Sequence, residues 1–322
     1  MAMMNAAVVT SFAEPPHYQR FEVPGPRSQE QALVDVLAAG LHPRVRTDAA
    51  GAHYTSTGTL PMIPGIDAVG QRPDGRLVYF VAADDVIGTM ADKALADARR
   101  SVVLPGDADV AKIAAAMNPA MSSWVALRRR VPIEPGNSVL ILGATGNAGA
   151  MAVQVAKLLG AGRVVGAGRD LGRLQALTSA GADDIVQLTS DSEATGSALA
   201  AAAAGTDIVI DYLWGKPAQQ AITALLTARS ERSRALNWIQ IGAVAGPTIE
   251  LPSVALRSAN LRVQGSGQGA VGPADYLAEM PSLIDAISDG AIAVKANRVP
   301  LADVAQAWTR DEAPGERTVL VP

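Results

Sequence analysis

This chain predicts an α/β fold built on a doubly wound parallel sheet, and three observations carry that prediction. From Ser138 onward, short apolar runs alternate with helical segments, the pattern of parallel strands covered on both faces. The first of these strand-to-helix turns is glycine-rich, reading SVLILGATGNAG over residues 138–149. The length, 322 residues, suggests about two domains, each with its own core.

The first third has a different texture. Residues 6–11 and 31–39 are apolar runs, with turn residues at Gly40, Pro43, Gly51, Gly58, Pro61, Pro64 and Gly65. Residues 77–82 and 102–104 read as further short strands, and 109–117 as a helix that Pro119 is expected to interrupt. Then come strand 139–142 with helix 148–159, strand 163–167 with helix 171–180, and strand 184–187 with helix 197–204. Strand 207–211, helix 218–226 and strand 238–242 follow. Beyond Gly265 the pattern predicts helices over 280–288 and 301–309 and a closing strand over 318–321.

Composition excludes several function classes. Lys plus Arg number 27 against 31 Asp plus Glu, so the formal charge is −4 and gives no electrostatic case for nucleic acid. With 49% hydrophobic and 18% charged residues, the chain is too apolar to be disordered. It has no cysteine, which removes disulfides, cysteine-ligated zinc, iron–sulfur clusters and thiol nucleophiles. The start of the chain lacks the basic and apolar regions of a secretory signal. Residues 139–156 are uncharged, but Gly143, Gly146 and Gly149 divide them. These features predict a soluble, cytoplasmic protein with neither nucleic acid nor membrane as partner.

In the glycine stretch a strand ends at Gly143 and a helix begins near Asn147. Ala144, Gly146 and Gly149 occupy the glycine positions of G-x-G-x-x-G, with alanine in the first. A pyrophosphate must approach such a backbone closely, where a Cβ would clash, and the helix N-terminus then holds the anion. Glycine turns also serve packing alone, but the first strand of a strand–helix series is where a dinucleotide binds. At the end of the second strand, an NAD site places an acid on the ribose 2′-hydroxyl. Gly168 stands there instead, followed by Arg169 and, four residues on, Arg173, whose guanidinium groups suit a 2′-phosphate. This favours NADP(H), with Asp170 as a ribose ligand the competing reading.

Seven segments in order now resemble one family: 60–70 (LPMIPGIDAVG), 88–105, 143–149 (GATGNAG), 207–215 (DIVIDYLWG), 239–246, 261–269 and 298–322. Together they resemble the medium-chain dehydrogenase/reductase superfamily, specifically its zinc-independent, quinone-oxidoreductase-like branch. The resemblance implies a GroES-like, mostly β catalytic domain (residues 1–120 plus 266–322) with a Rossmann domain (121–265) inserted in it. It implies NADP(H), with Gly146, Ala148 and Gly149 at the pyrophosphate and Arg169 and Arg173 at the adenosine phosphate. Leu213, Trp214, Gly242, Ala243 and Val244 would lie on the nicotinamide side, and Ser266, Gly267 and Gln268 would complete that wall. A homodimer is also implied.

Zinc-dependent relatives carry a Cys and then a Gly-His-Glu triplet; here those slots hold His42 and Gly65-Ile66-Asp67. One His and one Asp make no zinc site, which needs three protein ligands, so no metal is expected. Hydride transfer then needs positioning and a donor for the developing oxyanion. Tyr54, His42 and Asn118 are the catalytic candidates, with Ser122, Ser123 and Trp124 bordering the same pocket. His42 reads equally as a hydrogen-bonded structural histidine, and Asn118 as a helix cap. Tyr212 and Lys216 form Y-x-x-x-K, but Pro217 argues against a catalytic helix there. Arg128, Arg129 and Arg130 read as a solvated stretch. The expected reaction is NADPH-dependent reduction of a small quinone, enone or ketone. The competing readings are a nucleotide-binding protein with little turnover, a zinc alcohol dehydrogenase and a short-chain-type enzyme.

Overall fold

The structure, a computed structural model, describes residues 2–53 and 55–322. The chain divides into two compact units, Met1–Pro119 with Tyr276–Pro322, and Ala120–Asp275.

The first unit opens with β1 (Met3–Val8) and β2 (His17–Glu22), an antiparallel pair. Then come β3 (Gln31–Gly40), α1 (Pro43–Ala49), β4 (Asp67–Gln71), β5 (Leu77–Val81), β6 (Lys93–Asp97) and β7 (Ser101–Val103). After the second unit, the chain returns with β14 (Lys295–Pro300), α9 (Val304–Thr309) and β15 (Glu316–Val321). β15 pairs with β3, so the sheet runs β14-β15-β3-β4-β5-β7 with β6 also on β3. β3 organises this sheet because Val34, Val36, Ala38 and Ala39 are buried while Asp35 points outward. Its core joins Val36, Leu41, Phe80 and Met90 to Leu301 and Leu320 from the returning segment.

α2 (Val110–Val125) corrects the expected interruption, since the helix continues through Pro119 and ends in a π-turn, Ala126–Arg130. An internal proline costs about 3 kcal/mol. Here Ile113, Ala116, Met117, Ala120, Trp124 and Val125 are all buried, and that packing outweighs the loss. α8 (Pro273–Ser288) likewise runs through Pro281 and starts earlier than expected.

The second unit contains β8 (Ser138–Leu142), α3 (Asn147–Leu158), β9 (Arg163–Gly168), α4 (Leu171–Ala176), β10 (Asp184–Gln187), α5 (Ser192–Ala203) and β11 (Ile208–Asp211). α6 (Gly215–Ala228), β12 (Leu236–Gln240), α7 (Ser253–Ser258) and β13 (Leu261–Gly265) complete it. Its six strands are all parallel in the order β10-β9-β8-β11-β12-β13. This is the doubly wound α/β architecture that the sequence predicts. Val139, Leu140, Ile141 and Leu142 on β8 are fully buried, which is why this strand carries no polar alternation. The chain winds outward from β8 in one direction and from β11 in the other, so the topological switch lies between them. Among the described residues, no helix is long and apolar enough to cross a membrane.

Candidate functional site

Gly143 ends β8 at φ +88°, a conformation that glycine adopts without strain. The amides of Gly143 and Ala144 both donate to the Ala167 carbonyl, fastening the turn to β9. A Cβ on Gly149 would come 2.2 Å from the Gly143 oxygen, so this glycine lets α3 pack on the strand end. Gly146 is different, because the nearest atom to an added Cβ is the Gly143 oxygen at 3.5 Å. It is exposed and precedes α3, whose first turn has no side-chain cap. The first-turn amides, Ala148 and Gly149 among them, therefore lack helical acceptors, and they sit beneath an open glycine face. This cradle fits a pyrophosphate.

At the end of β9, a Cβ on Gly168 would meet Thr145 Cγ2 at 2.6 Å. An acid at that position would have to displace the Thr145 side chain. Asp170 caps α4, accepting from the Arg173 amide at 2.9 Å, and its other oxygen lies 3.7 Å from Arg173 Nε. Arg173 Nη1 donates to the Thr145 carbonyl at 3.5 Å, which places the guanidinium against the glycine loop. Arg169 is exposed beside it.

Beyond β11 and β12 two loops are laced together. The Asp211 carboxylate accepts from the amides of Leu213 and Trp214 at 2.8 and 2.9 Å and from Trp238 Nε1 at 3.0 Å. Burial pushes its pKa up, and these donors oppose that shift. The Gly242 amide donates to the Asp211 carbonyl, and the Ala245 amide to that of Leu213. Trp214 takes φ +51°, the one non-glycine residue with positive φ among those described. Ala243 and Val244 are exposed, Val244 by 83%. Trp214 and Ala243 share a cavity of about 330 Å³ with Gln240, Pro247, Val263 and Gly265.

Ser266 is buried after β13, its amide bonded to the Gln240 carbonyl; Gly267 and Gln268 continue the loop. Arg130 donates to the carbonyls of Gly265 at 3.0 Å and Ala270 at 3.3 Å. Arg128 sits 5.3 Å over the Trp124 ring, and Arg129 lies 3.7 Å from Asp275. Arg128 and Arg129 are exposed, as expected of a solvated stretch, but the π-turn aims Arg130 at the loop after β13. Nothing in the local sequence signals that anchor, whose acceptors are backbone carbonyls 135 and 140 residues away.

All the predicted dinucleotide residues thus lie in the second unit, Gly168 at the end of β9 and the others in the loops after β8, β9, β11, β12 and β13 or the helix turns that follow. The catalytic candidates do not. Tyr54 lies outside the described residues. His42 is buried, its Nε2 2.8 Å from Asp67 Oδ1, and Tyr79 Oη donates to Asp67 Oδ2 at 2.9 Å. Burial, with the Asp67 charge, holds the Tyr79 phenol well above its usual range. Asn118 is half-buried in the middle of α2, so it caps nothing. No cluster of three metal-ligating side chains occurs among the described residues. Sequence reasoning missed the contact between Tyr212 Oη and Ser122 Oγ, 2.9 Å apart. The sequence marks its residues only separately, Tyr212 by its spacing to Lys216 and Ser122 as a pocket border.

The chain is similar to known proteins. The family described as zinc-binding dehydrogenase matches residues 148–288. The "Probable NADPH-dependent quinone reductase tdiC" of Emericella nidulans is 32% identical over 367 aligned positions, spanning 99% of this chain and 100% of that one. A quinone oxidoreductase of Lama guanicoe is 32% identical over 165 positions, 48% of this chain and 50% of its own. Among solved structures, mycobacterial Rv1454c complexed with NADPH superposes with a TM-score of 0.78 at 22% identity, covering 99% of this chain and 100% of that one. With a full-length relative at this identity and a six-stranded nucleotide-binding sheet in place, the chain belongs to the medium-chain dehydrogenase/reductase superfamily, among its quinone-oxidoreductase-like proteins.

Proposed function

We propose that this protein is an NADPH-dependent, zinc-independent reductase of small carbonyl compounds (quinones, enones or ketones). The observation that carries the reading is the pairing of an open, uncapped glycine cradle at α3 with the Arg173 guanidinium against the same loop. The full-length relative from Emericella nidulans, named for NADPH-dependent quinone reduction, supports it. Bound NADPH supplies the hydride.

The chain's own residues bind and orient that cofactor. Gly146, Ala148 and Gly149 hold the pyrophosphate, and Arg169 and Arg173 hold the 2′-phosphate. Leu213, Trp214, Gly242, Ala243 and Val244, with Ser266, Gly267 and Gln268, form the nicotinamide side. Tyr54 and Asn118 polarise the acceptor oxygen. His42, held by Asp67, supports its surroundings from a buried position. The reading includes a cytoplasmic homodimer. The test is oxidation of NADPH followed at 340 nm against quinones, enones and ketones in the presence of chelator. Acceptor-dependent turnover is expected, and silence across all three classes overturns the proposal.

A further inference from the structure

Tyr212 is the first residue beyond β11, and its amide donates to the Leu142 carbonyl at the end of β8. It therefore stands on the switch between the two halves of the sheet, where doubly wound folds open a crevice for ligands. Glycines flank it on both sides. A Cβ on Gly143 would lie 3.2 Å from Tyr212 Cβ, and one on Gly242 2.7 Å from the Tyr212 carbonyl oxygen. The ring reaches α2, where Tyr212 Oη and Ser122 Oγ are 2.9 Å apart. Lys216 is exposed on α6, which begins only at Gly215, so the Y-x-x-x-K spacing does not join these side chains on one helix.

We infer that the Tyr212–Ser122 hydroxyl pair holds the ribose of the cofactor's nicotinamide half. The inference rests on the dinucleotide reading above. Tyr212 packs on Gly143, which opens the pyrophosphate loop, while Leu213 and Trp214 continue toward the nicotinamide side. The dinucleotide portion between pyrophosphate and nicotinamide is the ribose, a vicinal diol. Two adjoining hydroxyls, each able to donate and accept, match it. Burial pushes the Tyr212 phenol up to about 12, so the group is a neutral donor throughout the physiological range.

The experiment compares three ligands by calorimetry: NADPH, 2′-phospho-ADP-ribose, and adenosine 2′,5′-bisphosphate, which lacks the second ribose. Tyr212→Phe is expected to weaken the first two about fivefold to tenfold, one lost hydrogen bond, and to leave the third within about twofold. Ser122→Ala, a smaller change in a half-buried side chain, should reproduce the split if Tyr212→Phe folds poorly. Equal losses for all three ligands, or no loss for any, overturn the inference alone. Wild-type protein that binds none of the three overturns the dinucleotide reading and the inference with it.

Discussion

His42 Nε2 and Asp67 Oδ1 lie 2.8 Å apart with both side chains shut off from solvent, and the second Asp67 oxygen accepts from Tyr79. Asp67→Ala would leave an imidazole and a phenol in the core with no acceptor. It should cost about 3 kcal/mol in urea denaturation, whereas Asp67→Asn, which keeps a carbonyl oxygen, should cost about half as much. Chelator should change neither stability nor turnover, because the pair lacks the third protein ligand that zinc requires. A chelator-sensitive unfolding midpoint would contradict this account.

Two glycines of the same loop should respond oppositely to a single methyl group. Gly149→Ala sets a Cβ 2.2 Å from the Gly143 oxygen, so α3 must shift, and a drop in the thermal midpoint is expected even without ligand. Gly146→Ala meets no such obstacle and should fold with a near-native midpoint. A pyrophosphate must approach this backbone closely, so the added methyl is expected to cost about tenfold or more in NADPH affinity. Calorimetry paired with thermal unfolding separates the two effects.

The 2′-phosphate assignment predicts a change in preference rather than in turnover. Arg173→Ala should weaken NADPH by about tenfold to a hundredfold, the range for a hydrogen bond to a charged group. NADH, which lacks that phosphate, should change little. Arg169→Ala should act in the same direction but less, since Arg169 is exposed. Equal losses for both cofactors would place these arginines in a structural role.

What could be read directly from the sequence follows physical range. Val139–Leu142 must be apolar because parallel strands are buried on both faces, so the strand–helix series and its glycine turn were visible in short windows. Burial over the length of α2 overrode the local signal of Pro119. β2 leaves no strand signal in the sequence because its residues are mostly exposed and polar. The pairing of His42 with Asp67 spans 25 residues and that of Tyr212 with Ser122 spans 90, and tertiary packing alone brings such partners together. The loops proposed to hold the cofactor follow strands of one parallel sheet, which is why the sequence presents them in a regular order.

Arg130 tests whether the loop after β13 needs its anchor. Its guanidinium spans the carbonyls of Gly265 and Ala270, and Gln264 Nε2 returns a bond to the Arg130 carbonyl at 3.4 Å. Arg130→Ala should speed amide exchange over residues 266–271 and raise the KM for NADPH severalfold. Arg130→Lys should restore little, because an ammonium cannot reproduce a planar fork aimed at two oxygens. Unchanged exchange in that segment would remove Arg130 from the account of the site.

Asp97 should confer a defined acid sensitivity. Its carboxylate accepts from the backbone amide and the guanidinium of Arg99, and the guanidinium bonds lead in holding its pKa at about 2, against an ordinary 3.8. A folded pKa below the unfolded one means that the unfolded chain binds more protons between those values. The stabilisation is therefore fully present above about pH 5 and is lost as pH falls toward 2. Arg99 is 68% exposed, so solvent screening reduces the contribution to about 1 kcal/mol. Asp97→Asn should be less stable than wild type by about that amount at pH 7, and the gap should fall to about half by pH 3. Urea denaturation across that range measures it, and a gap independent of pH would show that the Asp97–Arg99 contact stabilises through packing rather than charge.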